Sequence, residues 1–205
     1  MYLAQEAIKT IEITMKAIGF AAYSGAGKTT LLERIIAELR ARGQTVSSVK
    51  HAHHDVDIDI PGKDSWRHRQ AGAQEVLLVC DKRLALVREF GEARDLDVHA
   101  MLAELDPRVD WVLVEGFKQG ELPKIELWRQ PAPGDKPRTL RFVQDPLVLA
   151  LATDDAATLP QQPPASVALL DVNQPVAIVD WMLANASRLE YRAPAQGATA
   201  CSPTL

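Results

Sequence analysis

The chain of 205 residues has little cysteine, few aromatic side chains and no large surplus of charge. Its two cysteines, Cys80 and Cys201, stand far apart, which excludes a disulfide framework or a zinc ribbon. A net charge of −4 offers no bulk attraction to nucleic acid or to an anionic membrane surface. No apolar run approaches the roughly 20 residues that span a bilayer. The opening MYLAQEAIKTIEITM lacks the basic start and long apolar stretch of a signal peptide. These absences lead to the expectation of a cytoplasmic protein that engages neither nucleic acid nor membrane.

What is present is a hydrophobic content of 47% beside 24% charged residues, the balance of one ordinary folded domain. Apolar strand patterns at 16–21, 44–50, 111–114, 125–128, 147–152 and 167–170 alternate with helical ones at 29–42, 63–71, 96–105 and 176–189. In the first helix Leu31, Leu32, Ile35, Ile36 and Leu39 recur at helical spacing, and Gly43 follows as a cap. Such alternation predicts an α/β fold with a largely parallel sheet; joined to the glycine-rich stretch AAYSGAGKTT after the first strand, it is the pattern of a three-layer phosphate-loop NTPase fold. Residues 75–80 and 83–90 flank Asp81-Lys82 as an added β-hairpin. The expected domain runs from 15 to 188, with 1–14 as an N-terminal extension, Met15 as an alternative start, and 189–205 as a disordered tail.

The stretch AAYSGAGKTT, residues 21–30, follows the first strand and opens the first helix. It matches G-x-x-x-x-G-K-[ST] except that Ala22 replaces the first glycine, which is tolerable where φ stays negative. Backbone N–H groups of Ser24, Gly25, Ala26, Gly27, Lys28, Thr29 and Thr30 are expected to cradle phosphates at a helix N-terminus. Lys28 would reach the β- and γ-phosphates, and Thr29 would offer its hydroxyl to Mg²⁺. A chance glycine turn is the alternative, and the flanking strand and helix argue against it.

Three further stretches bear on the same chemistry. In DWVLVEGFK, Asp110 precedes a continuous apolar strand and Glu115 ends it. Ligands gather at the carboxyl ends of such strands, which makes Glu115 the candidate for Mg²⁺. The block KHAHHDVDIDIPGKDSWRHRQAGA holds His51, His53 and His54 with Asp55, Asp57 and Asp59. An extended H-x-H-H points its side chains in alternate directions, so a switch loop is favoured over a transition-metal site. Asp64, entering the next helix, is the candidate for orienting water and for holding the ion; with Lys28 it forms the expected catalytic pair. After a late strand, Asp154 is the candidate for reading a guanine, although no N-K-x-D stands here and a plain acidic turn is the alternative.

Taken together, AAYSGAGKTTLLERII, the KH-x-HHD…GKDS block, VEGFK and LALATDD resemble the molybdopterin-guanine dinucleotide biosynthesis adapter family over roughly residues 15–188. The resemblance implies a homodimeric GTP-binding protein with weak GTPase activity and the cofactors GTP and Mg²⁺. It also implies two partners, a molybdenum cofactor nucleotidyltransferase and a molybdenum-insertion protein, and an alanine at position 22 as a frequent family trait. A small-molecule kinase remains the rival, with Arg129, Arg138 and Arg141 in a proline-rich loop as lid arginines. A pure interaction module is the second rival. The hairpin bears on assembly. Val76, Leu77, Leu78 and Val79 precede its turn, Leu84, Leu86, Val87 and Phe90 follow it, and apolar residues on both faces call for a covering copy.

Overall fold

The first strand, β1 (Lys16–Ala22), places alternate side chains on opposite faces of a sheet, and both faces are buried. Ile18 and Phe20 enter one core while Ala17 enters another. The computed structural model describes residues 15–52, 56–92, 94–132, 134–135 and 137–193. The expectations for 1–14, for His53, His54 and Asp55, and for 194–205 lie outside the described residues. The chain divides into two compact units: residues up to His51 and from Asp97 onward make the first, and Ala52–Leu96 the second.

In the first unit the remaining elements are α1 (Lys28–Ala41), β2 (Val46–Lys50), α3 (Val98–Ala103), β5 (Trp111–Glu115), β6 (Lys124–Trp128), β7 (Val148–Thr153), β8 (Ala168–Asp171) and α4 (Pro175–Ala184). The strands form a six-stranded sheet in the order β2-β5-β1-β6-β7-β8, with every neighbouring pair parallel. Leu31, Leu32, Ile35 and Leu39 of α1 pack with Ile178, Val179 and Met182 of α4 on the face bearing Ile18, Phe20, Trp111 and Leu113. Val98 and Leu102 of α3 cover the other face with Ala17, Val112 and Val114. Helices on both faces make three layers, as the alternation of strand and helix patterns predicts. Each fully buried Leu or Ile contributes roughly 1.5–3 kcal/mol.

The helix ends have local causes. Asp97 caps α3 by accepting the Ala100 N–H at 3.2 Å, so the helix starts later than the apolar pattern at 96 suggests. Pro175 occupies the first turn of α4, and the chain tightens into a 3-10 turn at Ala186–Arg188 instead of continuing as α-helix to 189. Leu189 is fully buried in the core, and the Tyr191 N–H donates to the Met15 carbonyl at 2.7 Å. The packed chain therefore reaches past the boundary expected at 188. No helix among the described residues is long and apolar enough to cross a membrane.

The second unit contains α2 (Asp64–Gln70) and the hairpin β3 (Glu75–Cys80) with β4 (Arg83–Arg88). The hairpin register sets Val79 opposite Leu84 and Cys80 opposite Arg83, leaving Asp81-Lys82 as the turn. Arg69 organises this unit. Its guanidinium lies 3.0 Å from Asp57, 3.7 Å from Asp59 and 2.8 Å from Glu89, so a single cation joins the incoming segment to the strand exit.

Asp110 illustrates how the sheet is pinned at its amino end. Its carboxylate accepts the Thr45 N–H and the Thr45 hydroxyl, both at 2.7 Å, fastening the start of β5 to that of β2. These bonds hold its pKa below the ordinary 3.8. A carboxylate with a lowered folded-state pKa adds stability that is present above its unfolded value and lost as pH falls through the folded one. Asp110→Ala is expected to cost about 1 kcal/mol at neutral pH. In urea unfolding followed by circular dichroism, the difference from the wild type should shrink as pH is lowered below 3.8.

Candidate functional site

The site grows from the exit of β1. Ala22 ends that strand and pairs in register with Leu127 of β6, so its backbone is extended and a Cβ costs nothing there. The turn itself needs glycine later: Gly25 has φ 77° and Gly27 has φ 86°. Gly27 is the N-cap of α1, and no side chain caps the helix. The first N–H groups of α1 are thus left to an anion.

Lys28 folds back over this turn, its ammonium donating to the carbonyls of Ala22 at 3.5 Å and Tyr23 at 3.3 Å. Burial pushes its pKa down, and the cations Lys118 and Lys50 push the same way against the nearby Glu115 carboxylate. A half-buried ammonium with only long carbonyl contacts gains from an added anion. Beside it the Thr29 hydroxyl donates to Glu115 at 3.3 Å, and Lys50 lies 3.9 Å from the other Glu115 oxygen. The fold thus joins two residues 86 positions apart that were each expected to serve Mg²⁺. Their donors are all oxygen, which suits a hard cation and fits Mg²⁺.

The remaining candidates are placed differently. Ser24 and Gly25 are exposed, Ala26 is buried, and Thr30 is exposed on the first turn of α1. Asp154 follows β7 at the carboxyl edge, where its carboxylate lies 3.3 Å from Arg129 Nε. Asp155 instead caps a short turn by accepting the Ala157 N–H at 2.9 Å. Asp64 belongs to the second unit; it opens α2, is exposed, and lies 4.0 Å from Arg67. His51 stacks on Phe117 with ring centroids 4.6 Å apart, and Asp57 and Asp59 face Arg69. Among the described residues no group of three or more His, Cys, Asp and Glu is placed to hold a metal ion.

A family model described as molybdopterin guanine dinucleotide synthesis protein B matches residues 17–154. The chain belongs to this family. It is 41% identical over 167 residues to the molybdopterin-guanine dinucleotide biosynthesis adapter protein of Escherichia coli, covering 81% of this chain and 90% of that one. With the protein of the same description from Haemophilus influenzae it shares 42% identity over 166 residues, covering 80% and 86%. Among solved structures, a MobB protein homolog from Bacillus stearothermophilus superposes with a TM-score of 0.58 at 23% identity, covering 85% of this chain and 99% of that chain. A structure of molybdopterin-guanine biosynthesis protein B gives 0.60 at 22% identity, covering 82% and 98%. The family and its fold agree with the resemblance read from the motifs.

Sequence reasoning did not assign Lys50, Lys118 or Tyr23 to the site, and it placed Arg129 only in a rival lid. Arg129 directly follows β6, and its guanidinium lies 3.8 Å from where a Cβ on Gly27 would stand. Its position at the carboxyl end of a parallel strand was the available signal. Arg138 and Arg141 are engaged elsewhere, Arg138 with Asp135 at 3.0 Å and Arg141 with the Lys118 carbonyl at 3.2 Å.

Gly116 links the two family-specific motifs. With φ 109°, a Cβ there would stand 2.6 Å from the His51 carbonyl oxygen. Gly25 also has positive φ but open space around it. Gly25→Ala is expected to lower stability by about 1 kcal/mol, the conformational cost alone. Gly116→Ala should cost clearly more, about 2–4 kcal/mol, because backbone must move. Chemical denaturation of both variants without nucleotide compares them directly.

Proposed function

We propose that this chain is a GTP-binding adapter in molybdopterin-guanine dinucleotide synthesis, with slow GTP hydrolysis as its only chemistry. The observation that carries the reading is the Thr29–Glu115 contact beside Lys28, at the open N-terminus of α1. The relatives' description as adapters supports the pathway. Backbone N–H groups of residues 24–30 would hold the phosphates, Lys28 would exchange its carbonyl contacts for them, and Thr29 and Glu115 would hold Mg²⁺. The ion supplies charge neutralisation of the terminal phosphates. Asp154 would read the guanine from its place after β7, with Arg129 close to both the loop and that carboxylate. The partners we propose are the nucleotidyltransferase that makes the dinucleotide and the protein that inserts molybdenum.

Titration calorimetry tests the site. Lys28→Ala should weaken GTP binding by about 10–100-fold, the loss of one charge-assisted bond, with circular dichroism unchanged. Thr29→Ala and Glu115→Gln should weaken binding in Mg²⁺ more than in EDTA. Asp64→Asn is expected to slow hydrolysis more than it weakens binding. Unchanged affinity in a folded Lys28→Ala chain would refute the nucleotide assignment.

The hairpin supports a homodimer. Leu77 is 58%, Leu78 59%, Val79 67% and Leu84 66% exposed, a concentration of apolar surface on both of its faces. Pairing with a second copy would cover it. Sedimentation equilibrium should show a dimer for the wild type and a monomer for Leu86→Glu with Val87→Lys.

A further inference from the structure

The first unit carries a cavity of about 390 Å³ that none of the residues 24–30 lines. Its wall comes from the exit of β1 (Ala21, Ala22, Tyr23), from Lys118–Gly120, from Lys124 and Glu126 of β6, and from the segment 139–147. Ile125 and Leu127 of β6 point into the core with α1, so Lys124 and Glu126 project from the opposite face of the sheet. Both are buried, at 2% and 3% exposure, which is rare for charged side chains unless something holds them.

The wall's carboxylates are already occupied. Glu126 accepts the N–H groups of Arg141 at 2.7 Å and Phe142 at 3.0 Å, one on each oxygen. Asp145 accepts the Leu147 N–H at 3.0 Å and lies 3.2 Å from Lys124. Arg141 keeps donors in hand: one of its nitrogens donates to the Lys118 carbonyl and lies 4.0 Å from Asp145, and a guanidinium carries five N–H groups. Lys118 adds a second cationic residue to the lining of the same cavity. A concave surface with satisfied acceptors and spare charged donors selects a ligand rich in acceptors, and its volume lies within the usual range for small-molecule sites.

We infer that this cavity is a second small-molecule site, taking an oxyanion-bearing ligand, a phosphomonoester or a carboxylate, on Arg141 and Lys118. It adjoins the nucleotide loop, sharing the entry residues Ala21, Ala22 and Tyr23 but none of 24–30, and Tyr23 joins the two. The Tyr23 carbonyl receives the Lys28 ammonium at 3.3 Å, while the Tyr23 hydroxyl accepts the Thr139 N–H at 2.9 Å in the cavity wall. Resting on the nucleotide-binding reading proposed above, an adapter built this way holds an anionic small molecule next to the loop that takes the nucleotide.

The test keeps the nucleotide loop occupied. The full chain, saturated with Mg²⁺ and GDP, is titrated at millimolar concentration with phenyl phosphate, benzoate and neutral benzyl alcohol. Two-dimensional NMR follows the amide signals. Saturable shifts at Lys118, Thr139 and Arg141 with phenyl phosphate or benzoate, absent with benzyl alcohol, are the expected result; which anion binds more tightly identifies the oxyanion. Arg141→Ala should weaken this binding at least about tenfold and leave GDP affinity within about twofold. Lys118→Ala, read by anion binding alone and not by GDP affinity, provides a second variant if the first misfolds. No saturable shift with either anion, equal shifts with benzyl alcohol, or undiminished binding in both variants would overturn the inference. Titrating a Lys28→Ala chain with phenyl phosphate reads the same cavity even if GDP does not bind, which separates this failure from failure of the nucleotide site.

Discussion

Parallel pairing of β1 with β5 on one side and β6 on the other is the constraint on which the site depends. Phe20 pairs with Glu115, and Ala22 pairs with Leu127, so the chain leaves β1 two residues beyond the level of Glu115. Neighbouring strands lie about 4.8 Å apart. At that spacing the loop after β1 turns into α1 directly above the end of β5, and Thr29 meets Glu115. The order β2-β5-β1-β6-β7-β8 also brings the ends of β6 and β7 alongside, which is how Arg129 meets both Gly27 and Asp154. Slipping any of these registers by one residue would turn every side chain to the other face and dissolve the site.

Charge within the first unit divides by what is already satisfied. Asp110, Glu126 and Asp145 are taken up by backbone donors and serve to fasten strands and turns. Lys28, by contrast, donates to carbonyls at 3.3 and 3.5 Å with the Glu115 carboxylate nearby, and burial holds its pKa down. At the cavity, Lys124 is completed by Asp145 at 3.2 Å, whereas Arg141, 4.0 Å from the same carboxylate, keeps N–H groups to spare.

The strong signals in the sequence were periodic or local. Helical spacing in 28–41, the continuous apolar run at 111–114 and the turn at Asp81-Lys82 each report burial or backbone geometry that a short window contains. Element ends were less legible, because they depend on single contacts such as the Asp97 cap or the pairing of Tyr191 with Met15. Asp57 and Asp59 stand near the histidines in the sequence, where a switch loop is expected; that they face Arg69 depends on how the segment folds back on α2.

The sequence by itself determined the phosphate-loop turn, the three-layer class and the family, since glycine, lysine and apolar spacing act over a few residues and leave their mark in any window. Tertiary structure alone decided that the Thr29 hydroxyl meets the Glu115 carboxylate, that Arg129 lies near the loop, and that Lys118 and Arg141 line a cavity beyond residues 24–30. Those meetings join residues brought together by strand order and register, and long-range pairing leaves no periodic trace along the chain.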